Sequence, residues 1–273
     1  MREWIVSLPM YNVTPRLRAL WRALVDDAIS RLREDGFADR VVQPDDVGSD
    51  LDALWRRDDL LLSQTCGYPL MRVLPASIQI VGTPIFDADG CDGPAYSSVI
   101  VVSEAAFARG ATSFEPCRGL RVAVNDSMSN SGMNVLRHAV APFARAGRFF
   151  ASVVQTGSHL GSLAALAAGT ADIAAIDCVT YAFARDAHGF AHLPHRVLGL
   201  SMQTPGLPLI ASATVEPALV ERLRAALEYA LDADAERAAT LRLKGFAKLE
   251  RDDYALIVHL EETAIQLGYP QLA

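Results

Sequence analysis

The sequence predicts an α/β fold of two lobes, with a central cleft and two strands that cross at a hinge. Three observations predict it. Short β-branched runs alternate with stretches of helical spacing, the mark of layered α/β architecture. At 273 residues the chain is long for one core and fits two. A middle block also carries its own strand–helix–strand pattern, while the segments on either side each need partners to complete a sheet. The expected division is 1–99 for the first part of lobe 1, 100–197 for lobe 2, and 198–273 for the rest of lobe 1. The crossing strands are expected near 98–103 and 197–203.

The elements follow in order. Trp4-Ile5-Val6-Ser7-Leu8-Pro9-Met10 reads as a first strand. Thr14 can cap a helix and Pro15 suits its first turn. Leu17, Leu20, Trp21, Leu24, Val25, Ala28, Ile29 and Leu32 then recur at helical spacing until Gly36. Ser49 can cap a short helix carrying Leu51, Leu54 and Trp55. Strands are expected at 60–64, 78–86, 96–102, 120–124, 151–155, 172–176, 196–202 and 208–212. Helices are expected at about 131–141 and 158–168, from Cys178, and from Pro217 through a last quarter read as helical.

Composition excludes several classes. Hydrophobic residues make up 51%, enough for a well-buried interior, and 21% charged residues is too few for a disordered chain. A net charge of −7 argues against nucleic-acid partners, which select a basic face, and against a membrane surface. No apolar run is long enough to span a bilayer, and no export signal precedes the first strand. A periplasmic location is therefore expected only if such a signal has been removed; otherwise the expectation is cytoplasmic. The four cysteines, Cys66, Cys91, Cys117 and Cys178, form no C-x-x-C pair. Cys66 and Cys91 lie in glycine-flanked turns and could be bridged, with free buried thiols as the plainer reading.

The chemistry concentrates after the strands of the middle block. Asn125-Asp126-Ser127-Met128-Ser129-Asn130-Ser131-Gly132 joins a strand to a helix. Ser129, Asn130 and Ser131 gather where helical N–H groups lack partners and the helix dipole adds positive charge, so an anion can be cradled without Arg or Lys. Plain helix capping by the serines is the competing reading. Thr156-Gly157-Ser158-His159 repeats the arrangement after the next strand, with Ser158 and His159 in the first turn. Asp177 ends a third strand, either as an N-cap or as a partner for a ligand amine, a protein hydroxyl or an arginine. From the other lobe Tyr11, Gln64, Thr65 and Tyr68 are candidate ligand contacts, together with Tyr96 at the start of a crossing strand.

Together these stretches resemble the phosphate/phosphonate-binding family of ABC-transporter solute receptors, which are type 2 periplasmic binding proteins. The resemblance is carried by Ser7-Leu8-Pro9-Met10-Tyr11, Leu62-Ser63-Gln64-Thr65-Cys66-Gly67-Tyr68-Pro69, Val81-Gly82-Thr83-Pro84, Tyr96-Ser97-Ser98, residues 127–132, Thr156-Gly157-Ser158-His159 and Ala174-Ala175-Ile176-Asp177-Cys178. It implies a hinge fold that closes on a small anionic ligand. Ser129, Asn130 and Ser131 would hold the oxyanion beside His159, and Tyr68 and Tyr96 would line the opposing wall. It also implies an ABC permease as partner. The receptor so expected is a monomer with no cofactor, no metal and no catalysis.

Two other classes stay open on sequence alone. One is a cytoplasmic sensor or vitamin-precursor binder on the same scaffold. The other is a hydrolase built from a serine, His159 and Asp177, which would need a Ser–His–carboxylate chain at about 3 Å. His188, His192 and His195 have spacing that could ligate a metal, but Gly189 and Pro194 interrupt them.

Overall fold

A computed structural model describes residues 2–48, 50–187 and 194–273. In chain order the elements are β1 (Glu3–Ser7), α1 (Pro15–Glu34), β2 (Arg40–Val42), α2 (Leu51–Trp55), β3 (Leu60–Gln64), α3 (Gly67–Arg72), β4 (Gln79–Phe86), β5 (Cys91–Asp92), β6 (Ala95–Tyr96) and β7 (Ser98–Ser103). They continue as α4 (Glu104–Ala108), β8 (Arg121–Val124), a π-helical turn (Asn130–Asn134), α5 (Val135–Val140), β9 (Ser152–Gln155), α6 (His159–Ala167), β10 (Ile173–Asp177) and α7 (Cys178–Asp186). The chain ends with β11 (His195–Leu200), β12 (Thr204–Pro205), β13 (Leu209–Ala211), α8 (Pro217–Asp232), α9 (Ala235–Thr240), β14 (Leu243–Ala247) and α10 (Ala255–Gln266).

The chain divides into two compact units. The first comprises Met1–Asp87, Asp92–Pro94 and Gly206–Asp253; the second comprises Ala88–Cys91, Ala95–Pro205 and Tyr254–Ala273. The first unit is built on a six-stranded sheet in the order β14-β4-β13-β3-β1-β2. Its strand β3 is buried throughout, which is why Leu60-Leu61-Leu62 reads as a continuous apolar run rather than an alternation. Thr14 caps α1, its side chain accepting from the Leu17 N–H at 3.2 Å. The buried face of α1 is Leu17, Trp21, Leu24, Val25, Ala28, Ile29 and Leu32, with Leu20 at its margin. Asp50 caps α2 by accepting from the Ala53 N–H; the Ser49 cap expected there lies outside the described residues.

The second unit is built on a five-stranded sheet in the order β11-β7-β10-β8-β9. β10 pairs parallel with β8, and β8 parallel with β9, whereas β7 runs antiparallel to both β10 and β11. The two segments expected to cross the hinge, β7 and β11, are therefore neighbours in one sheet. Parallel β8, β9 and β10 deliver their carboxyl ends to one edge, the edge where open α/β sheets bind ligands.

Two features depart from the sequence expectation. Residues 254–273 pack in the second unit, not the first. Ile257, Leu260, Ala264 and Tyr269 are buried there, and the Phe149 and Phe150 N–H groups donate to the Ala273 carbonyl at 2.7 and 2.9 Å. Helical periodicity gives α10 its apolar face but does not say which sheet covers it. The last quarter also contains a strand, β14, which pairs antiparallel with β4. Its five residues include Gly245 and exposed Lys244, so no alternation betrays it. The segment after β3 forms a helical turn, α3.

Candidate functional site

The site is built from the ends of β8 and β9. The Thr156 and Gly157 N–H groups donate to the Val124 and Asn125 carbonyls at 2.8 and 2.9 Å, which ties the two strand exits together. Beyond β8, Asp126 Oδ1 accepts from the Met128 N–H and shapes the turn. Ser129 then adopts an extended conformation and caps the π-helical turn, its Oγ accepting from the Gly132 N–H at 2.9 Å. The turn is widened, with the Asn134 N–H reaching the Ser129 carbonyl at 3.0 Å. Such π-turns concentrate at functional sites. Glycine at 132 leaves room for the Asn125 side chain: a Cβ there would fall 1.7 Å from Asn125 Oδ1, so that side chain would have to move.

Ser129, Asn130, Ser131, Tyr96 and His159 come together on this unit. Ser131 Oγ stands 2.9 Å from His159 Nε2 and 3.4 Å from Ser129 Oγ. The Ser131 carbonyl accepts from Ser98 Oγ at 2.8 Å. Asn130 is buried and its amide is engaged within the protein. Its Nδ2 donates to Thr204 Oγ1 at 2.9 Å and to the Tyr96 hydroxyl at 3.2 Å, and its Oδ1 accepts from Asn134 Nδ2 at 3.0 Å. Asn134 in turn accepts from Arg137, a buried guanidinium that donates to the Pro270 carbonyl and pairs with Glu261 at 3.3 Å. Asn130 thus behaves as a fixture that aligns its neighbours. Thr204, Ser98 and Asn134 were not anticipated. The only cue for Thr204 was the turn at Pro205-Gly206 beside it.

Burial pushes the His159 imidazolium down, to about 4, while the Ala175 carbonyl acts weakly the other way. Nδ1 is sealed from solvent and has no partner at hydrogen-bonding geometry, although an edge of the residue stays exposed. The ring is therefore neutral at physiological pH.

Ser158 and Asp177 have the capping roles that competed with ligand binding. Exposed Ser158 caps α6, accepting from the Gly161 N–H at 2.9 Å. Buried Asp177 caps α7 through Oδ1, which accepts from the Val179 and Thr180 N–H groups at 2.9 Å each. Among the described residues the Ser–His–carboxylate chain is not completed: Ser131 meets His159, but His159 Nδ1 meets no carboxylate.

Tyr11, Gln64, Thr65 and Tyr68 belong to the first unit. Tyr11, with φ of 28°, follows β1 and packs edge-on against Phe86 with ring centroids 4.9 Å apart. Gln64 ends β3 and Thr65 follows it, both buried: Gln64 Nε2 donates to the Leu207 carbonyl at 3.3 Å, and Thr65 Oγ1 to that of Cys66. Tyr68 lies buried on α3. This unit also holds a cavity of about 200 Å³ lined by Ser7, Asn12, Trp21 and Arg22. None of the expected ligand residues lines it, and Arg22 is already bonded to Asp45 and the Gln43 carbonyl.

Among the described residues no cluster of His, Cys, Asp and Glu could hold a metal. His195 bonds the Tyr181 hydroxyl at 2.8 Å, and His188 and His192 lie outside the described residues. No described helix is long and apolar enough to cross a membrane.

Over residues 58–254 the chain matches the family model described as ABC transporter, phosphonate, periplasmic substrate-binding protein. No curated protein sequence matches it. Among solved structures it is similar to a binding-protein component of an ABC phosphonate transporter from Pseudomonas aeruginosa, at 18% identity and a TM-score of 0.76, over 97% of this chain and 87% of that one. It is similar also to PhnD1 from Prochlorococcus marinus in complex with methylphosphonate, at 15% identity and a TM-score of 0.72, covering 97% and 98%. The alkanesulfonate-binding protein SsuA from Xanthomonas axonopodis pv. citri, bound to MOPS, aligns at 15% identity with a TM-score of 0.64, covering 97% and 93%. These likenesses establish the type 2 periplasmic-binding-protein fold.

Proposed function

The chain belongs to the periplasmic substrate-binding proteins of phosphonate ABC transporters, receptors for a small oxyanion, and we propose that its second unit grips the phosphonate or phosphate group of the ligand at Ser129 and Ser131, with His159 beside them. The carrying observation is the 2.9 Å contact between Ser131 Oγ and His159 Nε2, at the start of the π-helical turn and beside two strand exits. Hydroxyl protons and the dipole of the following helix supply positive potential there. Asn130 and Tyr96 act as supports. Catalysis has no part in this reading, and the partner we infer is an ABC permease, with the receptor working in the periplasm.

Calorimetry with inorganic phosphate, methylphosphonate and an alkanesulfonate tests the assignment. Wild type should bind at least one of them, and Ser131→Ala should weaken that binding by about 1–3 kcal/mol, the worth of one hydrogen bond to a charged group. An unchanged affinity in Ser131→Ala would place the oxyanion elsewhere.

A further inference from the structure

Cys91 and Cys178 are 87 positions apart in sequence, yet their sulfurs stand 3.5 Å from each other. Both lie in the second unit. Cys178 is the first residue of α7, 1% exposed, and its N–H donates to the Ser97 carbonyl at 3.1 Å. Cys91 opens β5 and is only half-buried. The residue before it, Gly90, has φ of 99°, and a Cβ at that position would fall 3.1 Å from Cys178 Cβ. A glycine-only conformation therefore brings this backbone directly onto Cys178.

We propose that Cys91 and Cys178 form an oxidisable dithiol site that closes to an intramolecular disulfide. A disulfide needs its sulfurs at about 2.05 Å, so each side chain has less than ~1 Å to travel. The order of events follows from exposure. Solvent reaches Cys91, whereas Cys178 is sealed behind it. The Cys178 thiol is also held far above its ordinary range by its hydrogen bond with Cys91, by burial and by the Asp177 carboxylate. Given a disulfide oxidant of the form RSSR, the Cys91 thiolate attacks one of its sulfurs, and a mixed disulfide forms as the first RS⁻ leaves and takes a proton. Cys178 then gives up its proton as its sulfur attacks Cys91 Sγ and expels the second RS⁻, and the departing thiolate takes up that proton. Two protein thiols are oxidised and one RSSR is reduced to two RSH.

The bond would close a loop holding β6 through β10 and the π-helical turn. It would fix the segment that leads to Tyr96 against the turn that carries Asp177. Such an arrangement suits an oxidising compartment, where disulfides persist. It also replaces the Cys66–Cys91 bridge considered from sequence, since the sulfur beside Cys91 is that of Cys178 and Cys66 belongs to the first unit.

The full chain, equilibrated with oxidised glutathione or with excess reductant, provides the test. After oxidation, denaturation and maleimide labelling, two of the four cysteines should react, and peptide mapping should join the Cys91 and Cys178 peptides. Oxidation should raise the melting temperature by about 4–10 °C, the range for closing a long loop in a chain of this size. Cys91→Ser and Cys178→Ser should each remove that rise while keeping the melting temperature of the reduced protein to within about 2 °C. Four reactive thiols after oxidation, or a bridge from Cys91 to Cys66, would overturn the proposal. So would a temperature rise that survives in Cys178→Ser.

Discussion

Acidification should unfold the ligand-free protein partly through one residue, His159. Its folded-state pKa lies near 4, against an ordinary 6.5. The folded state therefore holds fewer protons on this ring than the unfolded chain does between those two values. Stability rises with pH wherever the unfolded state binds more protons. The contribution is complete above 6.5 and is lost as pH falls through 4. A tenfold difference in proton affinity between the two states is worth about 1.4 kcal/mol, so the whole window amounts to about 3 kcal/mol. One edge of the residue reaches solvent, which makes that figure an upper bound. The assay is urea denaturation of wild type and His159→Gln at matched pH values across the window. Glutamine does not titrate there, so the stability of the variant relative to wild type should improve steadily as pH drops. Other titrating groups, including the partly buried His138, whose pKa is lowered by burial and by His259, cancel in the difference. Two parallel stability curves between pH 6.5 and 4 would refute the claim that His159 is a neutral, enclosed ring.

Two further outcomes test the scaffold of the site. Gly132→Ala should destabilise the protein by about 1–3 kcal/mol in urea and weaken oxyanion binding, because Asn125 must vacate the space that the new methyl occupies; unchanged stability would mean that the π-helical turn relaxes freely. Arg137→Met should cost about 3–5 kcal/mol, since it removes a buried guanidinium bonded to Asn134 and the Pro270 carbonyl and paired with Glu261. Adding Glu261→Leu should recover part of that loss in a double-mutant cycle, and strict additivity of the two changes would deny their coupling.

The strand–helix alternation and the apolar face of α1 were legible because both rest on local periodicity. The meeting of Ser131 with His159 was legible for a related reason: each follows a strand, and parallel neighbours place their ends at one edge. The π-helical turn was not legible. Asn130-Ser131-Gly132-Met133-Asn134 has the same apolar spacing whether its hydrogen bonds span four residues or five. Nor could sequence find Thr204, which reaches Asn130 across 74 positions, or assign α10 to its unit. Those contacts depend on which surfaces meet after folding, and an amphipathic face does not name its partner. The cysteines make the same point. Glycine-flanked turns pointed to Cys66 and Cys91, but turn chemistry says nothing of what lies across a turn.

Capping and anion binding looked like rival readings of the serines, and the chemistry of the hydroxyl removes the rivalry. A serine Oγ has two lone pairs and one proton. In capping Gly132, Ser129 uses a lone pair. Its proton stays available, for Ser131 in the ligand-free state and, on the proposed reading, for an oxyanion in the bound one. Ser131 is placed in the same way, with a neutral imidazole able to exchange the donor role with it. A carboxylate differs in kind, because in its ionised form it has lone pairs only. In that form a carboxylate that caps a helix, as Asp177 Oδ1 caps α7, has nothing to donate, and its charge repels an anion. On the proposed reading the cap residues therefore divide by chemistry rather than by position: Ser129 can both start its helix and donate to a phosphonate oxygen, whereas Asp177, as a carboxylate, can only accept, from a ligand group that brings its own proton.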